Sequence, residues 1–369
     1  MMGGEAMPRT AVIHIGTRKT GTTSIQETLA SAGNQLGEVG YPLVGRDRDQ
    51  NRMISLYVSP REMPLAWQGL DPVMNRKFRK VFFRHLASKN DLILSAESMA
   101  SWFPTESILQ LRADLESAGF DRFCVVLFVR DPADYFLSFT QQVIKSTFVS
   151  APYGEHWATF KYPFRSIAER WESVFPGSLV LRKYPGEQNG DVVRDFSMLL
   201  KKYLRLDVSA ASVRSNASLS AEGMKILQDY RLLYHDPSRP GWLTRDAAKL
   251  LQFLRHSTGS IHQTRACLDA DIARGIRANH KEDAEFILHH YGVDLEIADS
   301  APVEVRADSQ YLVSDLVEHY DQGSVEKILL LFAKETLEGH AMGRALLARI
   351  RSRVSTELRA CLAQLRELS

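Results

Sequence analysis

The stretch "AVIHIGTRKTGTTSIQ", residues 11–26, decides the fold. It opens inside a short apolar, β-branched run, TAVIHIG (residues 10–16), that reads as a buried strand. A loop rich in glycine and hydroxyl side chains follows, and a helix is expected to start around Thr22 to Ser24. A Walker A loop requires Gly, four residues, then Gly-Lys-Ser/Thr. Gly16 and Gly21 keep that spacing, but Thr22 stands where the lysine belongs, and Lys19 comes two residues ahead of the second glycine. A strand–loop–helix turn of this kind aims backbone N–H groups and the positive end of a helix at one point. The loop therefore reads as an anion site. Thr20, Thr22, Thr23 and Ser24 add hydroxyl donors, and Lys19 brings a mobile charge from the loop rather than from the helix.

Three further apolar runs read as buried strands: DLILSA (91–96), FCVVLFV (123–129) and SLVLRKY (178–184). Helical periodicity fills much of the chain between them, as crossover connections in a parallel sheet require. The expected fold class is α/β, a P-loop-type parallel sheet flanked by helices, with a mainly helical C-terminal region. Residues 45–75 are poorly periodic and read as a long loop with short helices, placed to cover the site. Strand signals stop near Ser218. IADSAPVEVRADSQ (297–310) reads as a linker or meandering loop, so the expected division is 1–295 and a helical extension, 296–369. In that extension Leu347, Val354, Cys361 and Leu368 recur every seven residues, with Ile350, Leu358 and Leu365 on the same face. Intramolecular packing of an amphipathic helix, self-association through a short coiled coil and a basic surface contact all fit that pattern.

The chain has 369 residues, 44% of them apolar, enough for one large α/β domain and an accessory region. A formal charge of +2 gives no whole-molecule argument for nucleic acid or an anionic membrane. Cys124, Cys267 and Cys361 are odd in number and far apart, which suits a reducing compartment and offers no metal spacing. No stretch of eighteen apolar residues occurs, so a cytoplasmic protein without a transmembrane segment is expected.

FCVVLFVRDPADYFLSFTQQ (123–142) supplies a second anion site. Arg130 ends a strand, Asp131 suits an N-cap, Pro132 suits the first helical position, and Ser138 follows about two turns into the helix. An arginine at a helix mouth and a nearby serine can converge on one phosphate.

GTRKTGTTS (16–24) resembles the 5′-phosphosulfate loop of sulfotransferases that use 3′-phosphoadenosine 5′-phosphosulfate (PAPS), whose pattern is Lys-x-Gly-Thr-Thr/Ser. The longer stretch is similar to bacterial members of that family. The resemblance implies that residues 17–24 (Thr17, Arg18, Lys19, Thr20, Gly21, Thr22, Thr23 and Ser24) hold the 5′ end, and that Arg130 with Ser138 holds the 3′-phosphate. LILSAES (92–98), LRKYPGEQNGDVVRDFSMLL (181–200) and VRSNASLSAEGMKIL (213–227) are similar to later segments, so coverage runs from about 10 to 295. One departure concerns the Arg-Lys-Gly loop with which many cytosolic members close the 3′-phosphate site. No such tripeptide occurs here; Arg214 is the candidate substitute, and a surface arginine is the alternative reading.

Sulfuryl transfer, like phosphoryl transfer, is mostly positioning and charge stabilisation. Lys19 on the loop suits the charge that grows on the bridging oxygen as adenosine 3′,5′-bisphosphate (PAP) leaves. In the family the general base follows the strand represented by DLILSA and is histidine or glutamate, which implies Glu97. His14 reads first as a strand histidine and second as the alternative base. No metal is expected. Aromatic and cationic residues between Tyr135 and Trp171, among them Lys145, His156, Trp157, Phe160 and Arg165, fit either a hydroxylated acceptor or ordinary core packing. The leading reading is a PAPS-dependent sulfotransferase acting on a hydroxyl, with a carbohydrate or glycan precursor favoured by resemblance. A divergent P-loop kinase or NTPase, and a nucleotide-sensing scaffold that oligomerises through its C-terminal helices, are the alternatives.

Overall fold

The computed structural model describes residues 8–63, 68–146, 156–186, 191–208, 218–233, 245–256, 261–297 and 312–337. Among the described residues five strands are present: β1 (Arg9–Gly16), β2 (Val39–Gly40), β3 (Asp91–Ser95), β4 (Phe120–Val129) and β5 (Leu179–Lys183). They form one sheet in the order β2-β3-β1-β4-β5, with every pair parallel. The four strands expected from apolar runs are there. The fifth, β2, is two residues long, too short to leave a pattern in sequence.

The helices, in chain order, are α1 (Thr22–Ala32), α2 (Ile54–Tyr57), α3 (Pro72–Ser88), α4 (Ser98–Trp102), α5 (Thr105–Ser117), α6 (Pro132–Ser146), α7 (Phe164–Val174), α8 (Val192–Leu204), α9 (Ala221–Leu233), α10 (Arg245–His256), α11 (Ala270–Asn279), α12 (Lys281–Tyr291), α13 (Val313–Leu316) and α14 (Gln322–Leu337). Local chemistry sets several boundaries. Asp191 caps α8 by accepting the Val193 N–H at 2.9 Å, and Arg205, in the left-handed region at φ 55°, ends it. Asp71 caps α3 the same way, with Pro72 at its first position.

The chain divides into two compact units along lines other than a single cut at residue 295. The first comprises residues 1–132, 161–216 and 280–299, and the second residues 133–160, 217–279 and 300–369. All five strands belong to the first. On one face of its sheet Val12, Ile93, Cys124, Val126 and Phe128 are covered by Ile25 and Leu29 of α1 and by Val193, Phe196 and Leu200 of α8. Each such fully buried large side chain contributes about 1.5–3 kcal/mol. Strand alternation turns Ala11, Ile13, Val125 and Leu127 to the opposite face, where α5 and α7 pack beside β4.

The second unit is helical among its described residues. Glu222 in the first turn of α9 is fully buried and accepts the N–H groups of Thr264 and Asp321, both at 2.9 Å. Tyr135, Phe136 and Phe160 are buried in this unit, with the Phe136 and Phe160 rings 5.0 Å apart. Trp157 is buried there too, and Trp171 and Phe164 are buried in the first unit. Tyr135, Trp157 and Phe160 are thus core side chains of the second unit, and Phe164 and Trp171 of the first. Arg214 and the heptad positions beyond residue 338 lie outside the described residues. Among the described residues no helix is long and apolar enough to cross a membrane.

Candidate functional site

The connection leaving β1 leads to β2 and β3 on one side, and the connection leaving β4 leads to β5 on the other. β1 and β4 therefore flank the switch point of the sheet, where ligands of open α/β sheets bind at the carboxyl ends of the strands. The sequence puts its candidates there. Gly16 ends β1, Glu97 follows β3 by two residues, Arg130 follows β4 directly and Tyr184 follows β5 directly.

The loop from Gly16 to Gly21 is built from inside. Thr17 donates its N–H (3.1 Å) and its hydroxyl (3.2 Å) to the Phe128 carbonyl of β4. The Thr20 hydroxyl donates to the Thr17 carbonyl at 2.6 Å. Both threonines are fully buried, so they shape the loop rather than face a ligand. This changes the sequence-based expectation, which counted Thr20 among the anion donors. Thr23 is exposed and Ser24 half-buried in the first turn of α1. Gly21 is required on two counts: its φ is +76°, and a Cβ there would sit 2.5 Å from Val192 Cγ1 of α8. As an N-cap without a side chain it also leaves the first N–H groups of α1 to an external acceptor.

Lys19 sits between the other charged candidates. Its φ is 64°, and its carbonyl accepts from Arg130 Nη1 at 3.1 Å. Arg130 also lies over the Tyr184 ring, 5.1 Å from the centroid. On the other side Glu97 reaches the loop twice. Arg18 Nε donates to its Oε1 at 3.2 Å, and the Thr22 hydroxyl to its Oε2 at 2.9 Å. Burial lowers the Lys19 ammonium to about 8; Glu97 opposes that effect, and Arg18 and Arg130 reinforce it. Burial also raises the Asp49 carboxyl, with the charges of Glu97 and Asp47 adding to the rise.

The structure therefore brings Arg18, Lys19, Thr22, Glu97 and Arg130 together at one end of the sheet. Ser138 lies on α6, half-buried and in the second unit. His14 is a structural residue. It is fully buried, its Nδ1 lies 2.8 Å from Ser95 Oγ, and its ring packs on Phe128 and Phe196. Burial takes its imidazole down to about 3, and the ring has no exposed surface to offer an acceptor. Tyr184 was missed among the site residues, although its place at the carboxyl end of a predicted strand was the available signal. Among the described residues no group of three or more His, Cys, Asp or Glu side chains is arranged to hold a metal ion. The chain matches no model of a known protein family and no curated protein sequence.

Proposed function

We propose that this protein transfers a sulfuryl group from PAPS to a hydroxyl acceptor by in-line displacement. The observation that carries the reading is the position of Lys19, with Arg130 bonded to its carbonyl at 3.1 Å and Glu97 held to the adjoining residues Arg18 and Thr22. The residues fit the two phosphate groups of the PAP moiety. Three cations surround one loop, and one end of the set is a helix N-terminus without a side-chain cap. Lys19 and the α1 N–H groups bind the 5′ end and offset the charge that develops on the bridging oxygen. Arg130 binds the 3′-phosphate.

Glu97 accepts the proton of the attacking hydroxyl. A carboxylate has about four lone-pair positions, so bonds from Arg18 and Thr22 leave it able to receive that proton. The same two bonds fix its orientation, which a general base needs. The acceptor class follows the resemblance: a carbohydrate or glycan precursor. Incubation with PAPS and a panel of monosaccharides, glycosides and phenols, with PAP release as the signal, tests the reading. Formation of PAP and sulfated product in equal amounts supports it. Turnover of ATP–Mg²⁺ in place of PAPS would favour a kinase-like reading.

A further inference from the structure

β2 pairs with β3 only at Val39↔Asp91 and Gly40↔Leu92. Beyond that, the edge of β3 at Ile93–Ser95 is fully buried, and its outward N–H and C=O groups need partners. Gln50 supplies them. Its Oε1 accepts the Ser95 N–H at 2.7 Å, and its Nε2 donates to the Ile93 carbonyl at 3.5 Å and the Pro42 carbonyl at 3.2 Å. In a parallel ladder the residue opposite Leu94 would accept from residue 95 and donate to residue 93. The fully buried Gln50 side-chain amide occupies that place and stands in for the strand that β2 is too short to provide. The Gln50 N–H also donates to the Ser95 carbonyl at 3.3 Å.

Asn51 continues the clamp. Its Oδ1 accepts the N–H of Ser98, the first residue of α4, at 3.0 Å, and its own N–H is held by Asp49 Oδ1 at 2.8 Å. Residues 95 and 98 are thus pinned on either side of Glu97. We propose that Gln50 and Asn51 are positioning residues that fix the β3–α4 turn so that the Glu97 carboxylate stays at the loop. This rests on the sulfuryl-transfer reading, in which Glu97 is the base. Both act through the backbone of residues 95–98, and misplacing a reacting group by 1 Å can cost about 10²-fold in rate.

The test is a cycle of four proteins: wild type, Asn51→Ala, Glu97→Gln and the double variant. Each is assayed by single-turnover PAP release from PAPS and by PAP titration. Asn51→Ala should slow transfer by about 10- to 100-fold in the wild-type background. In the Glu97→Gln background it should slow it less than about 3-fold, because residues acting as a unit are not additive. PAP titration of each protein separates a loss of transfer from a loss of nucleotide binding, because the clamp reaches the nucleotide loop only through Glu97 and its bonds to Arg18 and Thr22. Equal losses in both backgrounds, or no loss in the wild-type background, overturn the proposal. If Asn51→Ala does not fold, Asn51→Ser takes its place in the same cycle. Wild-type protein that transfers nothing from PAPS withdraws the sulfotransferase reading instead. The clamp is then judged by amide exchange over residues 95–100: faster exchange in Asn51→Ala supports it, and unchanged exchange overturns it.

Discussion

Replacing Arg130 by alanine removes two things, and they can be separated. The guanidinium donates to the Lys19 carbonyl at 3.1 Å, so its loss loosens the loop for any ligand that uses the loop. It is also the proposed partner of the 3′-phosphate, which only PAP carries. Calorimetric titration of wild type and Arg130→Ala with PAP and with adenosine 5′-monophosphate therefore makes a cycle. A neutral hydrogen bond contributes about 0.5–1.5 kcal/mol, and one to a charged group about 1.5–3. The monophosphate should lose only what the charged Arg130–Lys19 carbonyl bond passes on through the loop, up to about 3 kcal/mol. PAP should lose a further 1.5–3 kcal/mol or so, roughly 10- to 100-fold in Kd. Equal losses for the two ligands would refute the 3′-phosphate assignment and leave Arg130 as a loop tether. Unchanged binding of both would refute both roles.

Lys19 predicts a pH dependence on the alkaline side. Burial holds its ammonium down to about 8, so charge is lost as pH rises through that value. The Kd for PAP should weaken about tenfold between pH 7 and 9 by proton linkage, and Lys19→Arg should flatten that profile. A profile unchanged by the substitution would place the titrating group elsewhere. His14 predicts the opposite limb, in stability. Its imidazole stays neutral in the folded protein down to about 3, whereas in the unfolded chain it protonates near 6.5. Its contribution is therefore complete above about pH 6.5 and declines as pH falls toward 3, by about 1.4 kcal/mol per pH unit. Urea unfolding between pH 7 and 5 should show a shallower loss for His14→Gln than for wild type, and identical slopes would count against a neutral buried histidine.

The sheet was largely legible because its long strands are buried on both faces and read as continuous apolar runs. β2 was not, since two residues carry no period. The loop was legible as an anion site through its glycine spacing and displaced lysine, but not the division of labour among its hydroxyls. Thr17 and Thr20 turn inward because the loop must satisfy its own backbone and that of β4, a requirement visible only once the strands are assembled. Gln50 and Asn51 left no trace for the same reason: their bonds to the β3–α4 turn run to residues more than forty positions away. The aromatic run after Tyr135 was ambiguous because aromatic acceptor surfaces and aromatic cores share a composition. Burial decided it.

The most direct test of the central claim is single-turnover sulfuryl transfer from PAPS by wild type and Glu97→Gln, with the hydroxyl acceptor that gives the fastest PAP release. Glutamine keeps the shape and a hydrogen-bond acceptor for Thr22 or Arg18 but is a far weaker base. Transfer should fall by about 10²- to 10⁴-fold, the range for a positioned general base, with PAP affinity near that of wild type. Transfer within a few-fold of wild type would contradict the account, as would an absence of PAP release by the wild-type protein with every acceptor tried.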